Sequence, residues 1–587
     1  MSSVPAQYLA MLTASEKIDP VIHGRLSRAC MSLSPESLLS AWLDWIAHLS
    51  TSPGKRLDLL RLGLIQLERL SRYMCEYRIQ VSSGREGDQV SLPVSDRRFA
   101  AEEWRLWPFN VFHQQFLLAQ EWWDEATHGV WGVEKHHENV VSFFARQMLD
   151  TFAPSNNLFT NPVVLKKTYA ESGANLVRGA LKAVQDVERF SSGASSSDNS
   201  RFVVGKDVGV TPGEVILRNE LIELIQYKPA TGKVYAEPVL IVPAWIMKYY
   251  ILDLSPHNSL IKYLVEQGHT VFCISWKNPG WDERNLGMDD YLAKGFHAAL
   301  GAVCATVPKQ KVHSVGYCIG GTLLSIAAAQ MARDADDRLQ SVTLFAAQTD
   351  FSEPGELALF IDDSQVALLE ADMAQRGYLT SEKMAGAFQM LRSYDLLWSK
   401  MVGDYLLGQS STSNDLMAWN ADATRMPAKM HSQYLRQLFL NNDLSQGRYK
   451  VDGQPVSLRG VTVPIFCVGT FTDHVAPWRS VYKIHSLVSG EVTFTLTSGG
   501  HNAGIVSPPG HPRRYFLQRT HKMGTPVLSH EKWTEVTERT EGSWWPSWHE
   551  WLVDHSARQQ IAPPAFGAAG KGYKVLCSAP GVYVMEK

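Results

Sequence analysis

Two patterns of apolar positions divide the chain. Up to about residue 190, apolar residues recur at three- and four-residue spacing, as in LLSAWLDWIAHL and in SLPVSDRRFAAEEWRLWPFNVFHQQFLLAQEWW, with few strand-like alternations between them. That spacing draws one apolar stripe along a helix, so the region is predicted to be mainly helical. The segment SSGASSSDNS, residues 191–200, is small and polar and buries little, which marks it as a linker or exposed loop. Two domains are expected around it: a mainly helical one over 1–200 and a second over 201–587. In the second, short β-branched runs (PVLIVPA, TVFCISW, KVHSVGY, SVTLFAA, VPIFCVGT and VTFTLT) alternate with helix-length segments such as SLIKYLVEQG, MDDYLAKGFHAALGAVCATV and GGTLLSIAAAQMARD. This is the signature of a largely parallel sheet with crossover helices. The alternation breaks between SVTLFAA and VPIFCVGT. The intervening stretch, about 350–455, reads as mostly helical and is expected to lie over the strand ends as a cap.

Composition then narrows the classes of function. A chain of 587 residues with 45% hydrophobic and 20% charged residues can bury a large core. Its formal net charge of -3, without a long Lys/Arg block, gives no basic field for nucleic acid. The seven cysteines are scattered, with no CxxC or other metal-ligand spacing, which predicts no metal site and suits a reducing cytoplasm. The start, MSSVPAQYLAMLTASEKIDP, lacks the basic-then-apolar order of a secretion signal, and no apolar run approaches the length of a membrane span.

The strongest chemical signal is Gly316-Tyr317-Cys318-Ile319-Gly320, between a β-branched run and a helix of small apolar residues. It matches the nucleophile elbow G-x-S-x-G with cysteine in the serine position. There the glycines permit a strained turn and close packing of strand on helix. At such a turn a sulfur is presented at the top of the sheet, beside a helix N-terminus that favours thiolate, with the backbone N–H of Ile319 aimed at a developing oxyanion. A buried structural cysteine in a glycine turn is the plain alternative. A thiol also exchanges readily with a thioester, so acyl-CoA compounds lead as substrates.

Two further positions complete the order nucleophile, acid, base of the α/β-hydrolase fold. Asp473 follows the apolar run of VPIFCVGTFTDHVAPW, and His501 lies in the glycine-rich loop of VTFTLTSGGHNAGIVSPPG. Taken singly, Asp473 reads as a helix N-cap and His501 as an ordinary loop histidine; with Cys318 they form a triad. His474 adjoins the acid and is poorly placed to serve a distant nucleophile, so it is assigned a structural role. His313, His485 and His511 receive none. The second oxyanion donor of this fold comes from the loop in IVPAWIMKYYILDL, which makes the backbone near Ile246 its source.

Blocks along most of the chain resemble the polyhydroxyalkanoate synthases: DRRFAAEEW, TNPVVLKKTYAESGANLVRG, VTPGEVILRNELIELIQY, YYILDLSPHNSLIKYLVEQGHTVFCISWKNPG, GYCIGGT, DHVAPW, SGGHNAGIVSPPG, GSWWPSWHEWL and APGVYVMEK. The resemblance implies a cysteine-nucleophile acyltransferase that polymerises (R)-3-hydroxyacyl-CoA with release of CoA, using Cys318, Asp473 and His501 and no cofactor. It also implies a growing polyester chain and granule surface as partners, a cytoplasmic granule-associated location, and a homodimer, with granule association and dimerisation linked to the N-terminal region. Trp245-Ile246-Met247-Lys248 departs from the asparagine-lysine of many members, and Gly500-His501-Asn502 from the more frequent glycine-histidine-isoleucine. Both bear on subclass and monomer length; the full length is similar to the single-subunit class I enzymes of short-chain monomers. The aromatics Trp104, Trp107, Phe109, Phe112, Phe116, Trp122 and Trp123 read first as helix-packing core and second as a granule contact. A hydrolase on the same triad and a non-catalytic granule-coating protein are the rival readings.

Overall fold

The computed structural model describes residues 14–30, 32–83, 92–192, 202–391, 397–409 and 414–587. Residues 193–200 of the serine-rich segment lie outside these, while Ser191 and Ser192 end the helix Ala174–Ser192. The start read for a secretion signal, up to residue 13, also lies outside them.

The larger unit is built on an 11-stranded sheet. In chain order its strands are β1 (Gly213–Arg218), β2 (Ile222–Tyr227), β3 (Val239–Val242), β4 (Val271–Trp276), β5 (Val312–Tyr317), β6 (Leu339–Phe345), β7 (Ile465–Thr470), β8 (Val492–Thr497), β9 (Tyr515–His521), β10 (Arg539–Glu541) and β11 (Cys577–Ser578). They lie side by side as β10-β9-β8-β7-β6-β5-β3-β4-β2-β1-β11. The run from β8 to β4 is parallel throughout. Its six strands are the six β-branched runs singled out above. They are rich in β-branched residues and free of charged ones because helices cover both faces, and the polar residues they do carry, such as His313, Ser314, Thr343 and Thr495, are buried. The flanking strands pair antiparallel.

One face buries the helices Ala298–Thr306 and Ile319–Arg333, packing Leu300, Val303, Leu323 and Ile326 against Leu240, Phe272 and Leu344. The other buries Leu260–Glu266 and Trp545–Asp554, whose Trp545, Trp548 and Trp551 pack against Val315, Phe345 and Phe466. Trp548 also donates Nε1–H to Thr343 Oγ1 at 3.1 Å, satisfying the one polar atom that its burial carries inside. Register brings the carboxyl ends of the parallel strands level: Val242 pairs with Gly316, Tyr317 with Phe345, and Thr470 with Thr497. Loops leaving these ends therefore converge, the usual location of a site in such sheets.

Within the cap stretch, the described parts comprise the helices Asp363–Arg376, Ser381–Leu391, Asp415–Asn420 and Ala428–Gln433, a wide helical turn Tyr434–Leu440, and two-residue strand pairs.

The smaller unit takes Leu33–Ser195 and Gly386–Thr412, and the larger takes the remainder, including the helix Ala14–Ala29. The compact units thus interleave instead of dividing at one point near residue 200. The reason is packing: Ala14–Ala29 lies on Asp363–Arg376 of the larger unit, where Arg28 donates to Gln375 Oε1 at 2.8 Å. In the smaller unit Asn175 Nδ2 donates to Leu406 O at 2.8 Å, and Lys182 pairs with Asp404 at 2.9 Å.

The smaller unit is helical, with Pro35–Ser50, Pro53–Ser83, Phe109–Thr127, Lys135–Thr151, Pro162–Ala170 and Ala174–Ser192. The expectation of a helical stretch through SLPVSDRRFAAEEWRLWPFNVF fails: only short turns occur at Arg97–Phe99 and Glu102–Arg105, and the helix starts after Pro108. Asp96 caps the first turn by accepting from Arg98 N, and Pro108 lacks the N–H that a helix interior requires. The aromatic stretch divides accordingly. Trp104 and Phe116 are buried, whereas Trp107 and Phe112 are exposed.

Candidate active site

Cys318 stands where β5 ends and the helix Ile319–Arg333 begins, with φ 53° and ψ −127°. A side-chain-bearing residue is strained there by about 1–3 kcal/mol, and the surrounding contacts must hold it. They do. Cys318 N–H donates to Phe345 O of β6 at 2.8 Å, and Cys318 O accepts from Gly321 N at 2.9 Å. The glycines allow the approach: a Cβ on Gly316 would lie 2.4 Å from Gly321 Cα, and one on Gly320 would lie 2.3 Å from Val242 O. Strand, turn and helix therefore close only without those side chains, and Cys318 remains partly exposed at the strand ends.

Asp473 lies in the loop after β7. Its buried carboxylate is the hub of four contacts: Oδ1 accepts from Val475 N at 2.9 Å and Ala476 N at 2.8 Å, while Oδ2 accepts from Thr470 Oγ1 at 3.0 Å and meets His501 Nδ1 at 2.8 Å. The helix N-cap reading of Asp473 is not realised: the next helix, Trp478–Tyr482, starts after Pro477 without a side-chain cap, and Asp473 Oδ1 instead holds the turn that precedes it while Oδ2 faces His501. Burial opposes its ionisation, but the charge of His501 and the hydrogen bonds from His501, Ala476 and Val475 prevail and hold it below the usual carboxylate range.

His501 follows β8 in a loop tightened by Gly504 N donating to Gly500 O at 2.7 Å. Burial disfavours its imidazolium, yet Asp473 and Cys318, each through charge and hydrogen bonding, raise it well above 6.5. One ring nitrogen serves the carboxylate, and Cys318 is near enough for its charge to help hold the proton on the ring, so three loops gather Cys318, His501 and Asp473 at one site. His474 points elsewhere, its Nδ1 lying 3.5 Å from Glu356 Oε1. His313 is buried in β5 between Ser341 Oγ at 2.6 Å and Ser556 Oγ at 2.9 Å. His485 is buried with Nδ1 on Tyr482 O, and His511 is exposed.

Ile319 opens its helix, so its N–H is one of those with no acceptor within the helix. Ile246 is half-buried and packs against the same core cluster as Cys318; its carbonyl accepts from Thr424 N at 3.2 Å.

Two neighbours escaped the sequence reading. The Tyr317 ring stacks on His501 with centroids 5.6 Å apart, and its hydroxyl donates to Asn502 Oδ1. Tyr434, from the 350–455 stretch, is half-buried against the same core cluster as Cys318, and desolvation together with the charge of Cys318 raises its phenol. Tyr317 occupies a variable position of the elbow, and Tyr434 lies 116 residues from Cys318, so neither carried a local signal.

A mixed sheet with a cysteine at its strained central elbow and an aspartate–histidine pair on the next loops defines a protein of the α/β-hydrolase fold. A family model described as alpha/beta hydrolase fold matches residues 237–508. Models described as poly-beta-hydroxybutyrate polymerase (PhaC) N-terminus and poly-beta-hydroxybutyrate polymerase N terminal match residues 95–264 and 13–55. The chain is 41% identical over 503 residues to a poly(3-hydroxyalkanoate) polymerase of Methylorubrum extorquens, covering 85% of this chain and 82% of the relative. Against poly(3-hydroxyalkanoate) polymerase subunits PhaC it is 40% identical for Rhizobium meliloti, covering 85% and 80%, and 34% identical for Cupriavidus necator, covering 93% and 95%. The chain belongs to the poly(3-hydroxyalkanoate) polymerase family.

Proposed function

We propose that the protein polymerises (R)-3-hydroxyacyl-CoA into polyester through a covalent acyl-enzyme on Cys318. The observation that carries this reading is Cys318 at the strained strand-to-helix elbow, on the same strand ends where His501 is hydrogen-bonded to the buried Asp473 carboxylate. His501 takes the thiol proton, and the thiolate attacks the thioester carbonyl. The oxyanion is met by backbone N–H groups of Ile319 and of the loop near Ile246, and its collapse expels CoA, which leaves as the thiol with the proton from His501. His501 then accepts the proton of an incoming 3-hydroxyl, whose oxygen forms the ester bond as the thioester to Cys318 breaks. Asp473 holds the imidazole in the orientation and tautomer that both steps need.

Water attacking the acyl-enzyme would yield free hydroxy acid, so the cap over about 350–455 is assigned the exclusion of water. The reading needs no cofactor, because CoA arrives with the substrate and leaves as product. It includes short-chain monomers and class I membership, a cytoplasmic location at polyester granules, a homodimer, and a granule-associating and dimerising role for the N-terminal region 1–200. Among the described residues, no helix is long and apolar enough to cross a membrane.

The test supplies 3-hydroxybutyryl-CoA and measures released CoA and the organic product together. CoA release matched by insoluble polyester is expected, with CoA release abolished in Cys318→Ala. Soluble 3-hydroxybutyrate as the only product refutes the polymerase reading, and an unchanged rate in Cys318→Ala refutes the acyl-enzyme.

A further inference from the structure

The geometry points to Lys248 as a positioning residue for thioester activation: it ties the loop near Ile246 to the cap and to the segment 582–587, and so fixes the loop's N–H groups over the elbow. The inference rests on the acyl-enzyme reading above. After β3 ends at Val242, residues 243–248 belong to no helix or strand of the sheet, so their backbone depends on outside partners. The cap supplies them. Thr424 donates its hydroxyl to Trp245 O and its N–H to Ile246 O, Met247 bridges to Ala423, and Trp419 Nε1 donates to Lys248 O at 2.8 Å.

Lys248 locks this arrangement from the side-chain end. Its ammonium is almost wholly buried; it donates to Val584 O and to Glu586 O, the latter at 2.8 Å, and pairs with Asp422 Oδ1 at 3.2 Å. Asp422 is itself held by Tyr250 Oη at 3.0 Å. An ammonium withdrawn from water is costly unless every donor finds an acceptor, and a buried pair of this kind contributes little net stability beside an apolar substitute. What it does supply is directional constraint: three acceptors from two remote segments permit one placement of the Lys248 backbone. Loop and elbow are in close register, since a Cβ on Gly320 would strike both Val242 O at 2.3 Å and Pro243 O at 2.5 Å. A loop released at Lys248 is free to move its N–H groups away from the developing oxyanion without disturbing the sulfur or His501.

That separation makes the inference testable in Lys248→Met, which keeps the chain length and removes the charge. Two rates are measured: CoA release from 3-hydroxybutyryl-CoA, which forms an oxyanion, and alkylation of Cys318 by iodoacetamide, which needs the thiolate but forms none. Misplacing one donor is expected to lower kcat about 10²-fold, with KM and the alkylation rate each within about twofold of the wild type. Asp422→Asn, which removes one acceptor charge at a less buried position, should lower kcat in the same direction by about fivefold, again with alkylation unchanged; it stands in if Lys248→Met fails to fold. A kcat within about twofold of wild type in the folded variant, or alkylation falling in parallel with CoA release, overturns the role of Lys248. Continued CoA release by wild-type protein fully alkylated at Cys318 overturns instead the acyl-enzyme reading beneath it.

Discussion

Replacing Asp473 by asparagine tests the electrostatics of the site with little change of shape. Two of the four contacts made by the carboxylate survive, because the amide oxygen still accepts from Val475 N and Ala476 N. Those same contacts direct the amide –NH₂ to the place of Oδ2, facing Thr470 and His501. The threonine hydroxyl can rotate and accept. The imidazole must instead present an unprotonated Nδ1 to the new donor, which moves its proton to Nε2 and removes the lone pair needed to deprotonate Cys318. The lost attraction is large: unit charges at 2.8 Å with an effective dielectric of about 20 interact by about 6 kcal/mol before desolvation, and breaking a buried pair costs about 3–5 kcal/mol. Since the amide retains part of the hydrogen bonding, about 3–4 kcal/mol is expected in the barrier, or about 10²–10³-fold in kcat/KM. The assay is CoA release from 3-hydroxybutyryl-CoA at neutral pH, with iodoacetamide alkylation of Cys318 in parallel. Both should slow, because an imidazolium without its carboxylate is a poorer partner for the thiolate. A kcat/KM within about threefold of wild type, in protein of normal folded content, would refute the assignment of Asp473 as the group that orients His501.

The same pair predicts a pH dependence of stability. His501 is raised above 6.5, so its contribution is fully present below about pH 6.5 and is lost as pH rises through the folded value; Asp473 is lowered below 3.8, so its contribution is present above about pH 3.8 and is lost as pH falls through the folded value. The Tm advantage of wild type over Asp473→Asn should therefore be greatest between about pH 4 and 6.5 and narrow on the alkaline side, and an advantage that widens there is the contrary result. Gly320→Ala forces a methyl against the backbone oxygens of Val242 and Pro243, so a loss of about 2–3 kcal/mol and more than about tenfold in CoA release is expected. Gly54→Ala, with nothing within 4 Å of its added carbon, is the control and should be neutral or stabilising by up to about 1 kcal/mol in chemical denaturation. Equal stabilities of the two variants would count against the close packing at the elbow.

What the sequence made legible follows from how local each constraint is. The six parallel strands could be read because burial on both faces forces a continuous β-branched run, whatever the partners. β1 and β2 escaped that reading for the opposite reason. Glu223 and Gln226 are buried in β2; Glu223 pairs with Arg218 of β1, but its other carboxylate oxygen and both polar atoms of the Gln226 amide find partners more than 330 residues away: Glu223 accepts from Val582 N and Tyr583 N, and Gln226 bonds Ala565 O and Gly567 N. β9 exposes part of its length and β10 all of it, and they carry Arg519, His521 and Arg539, so no apolar run announces them.

The candidate site divides along the same line. Cys318 is marked by glycines at 316 and 320, because at those two positions the turn presses on the helix backbone and on the neighbouring loop so closely that a Cβ would not fit. Asp473 and His501 are marked by standing just past the ends of apolar strands. The groups that set angles and not identities leave no such trace. Tyr317 stacks on a ring 184 residues away, and Lys248 reaches carbonyls 336 and 338 residues away, so either could be exchanged in the sequence without disturbing any local pattern. The chemistry of the site is therefore written in short motifs, while its geometry depends on long-range contacts, and substitutions of the second kind should alter rate with little effect on which reaction is performed.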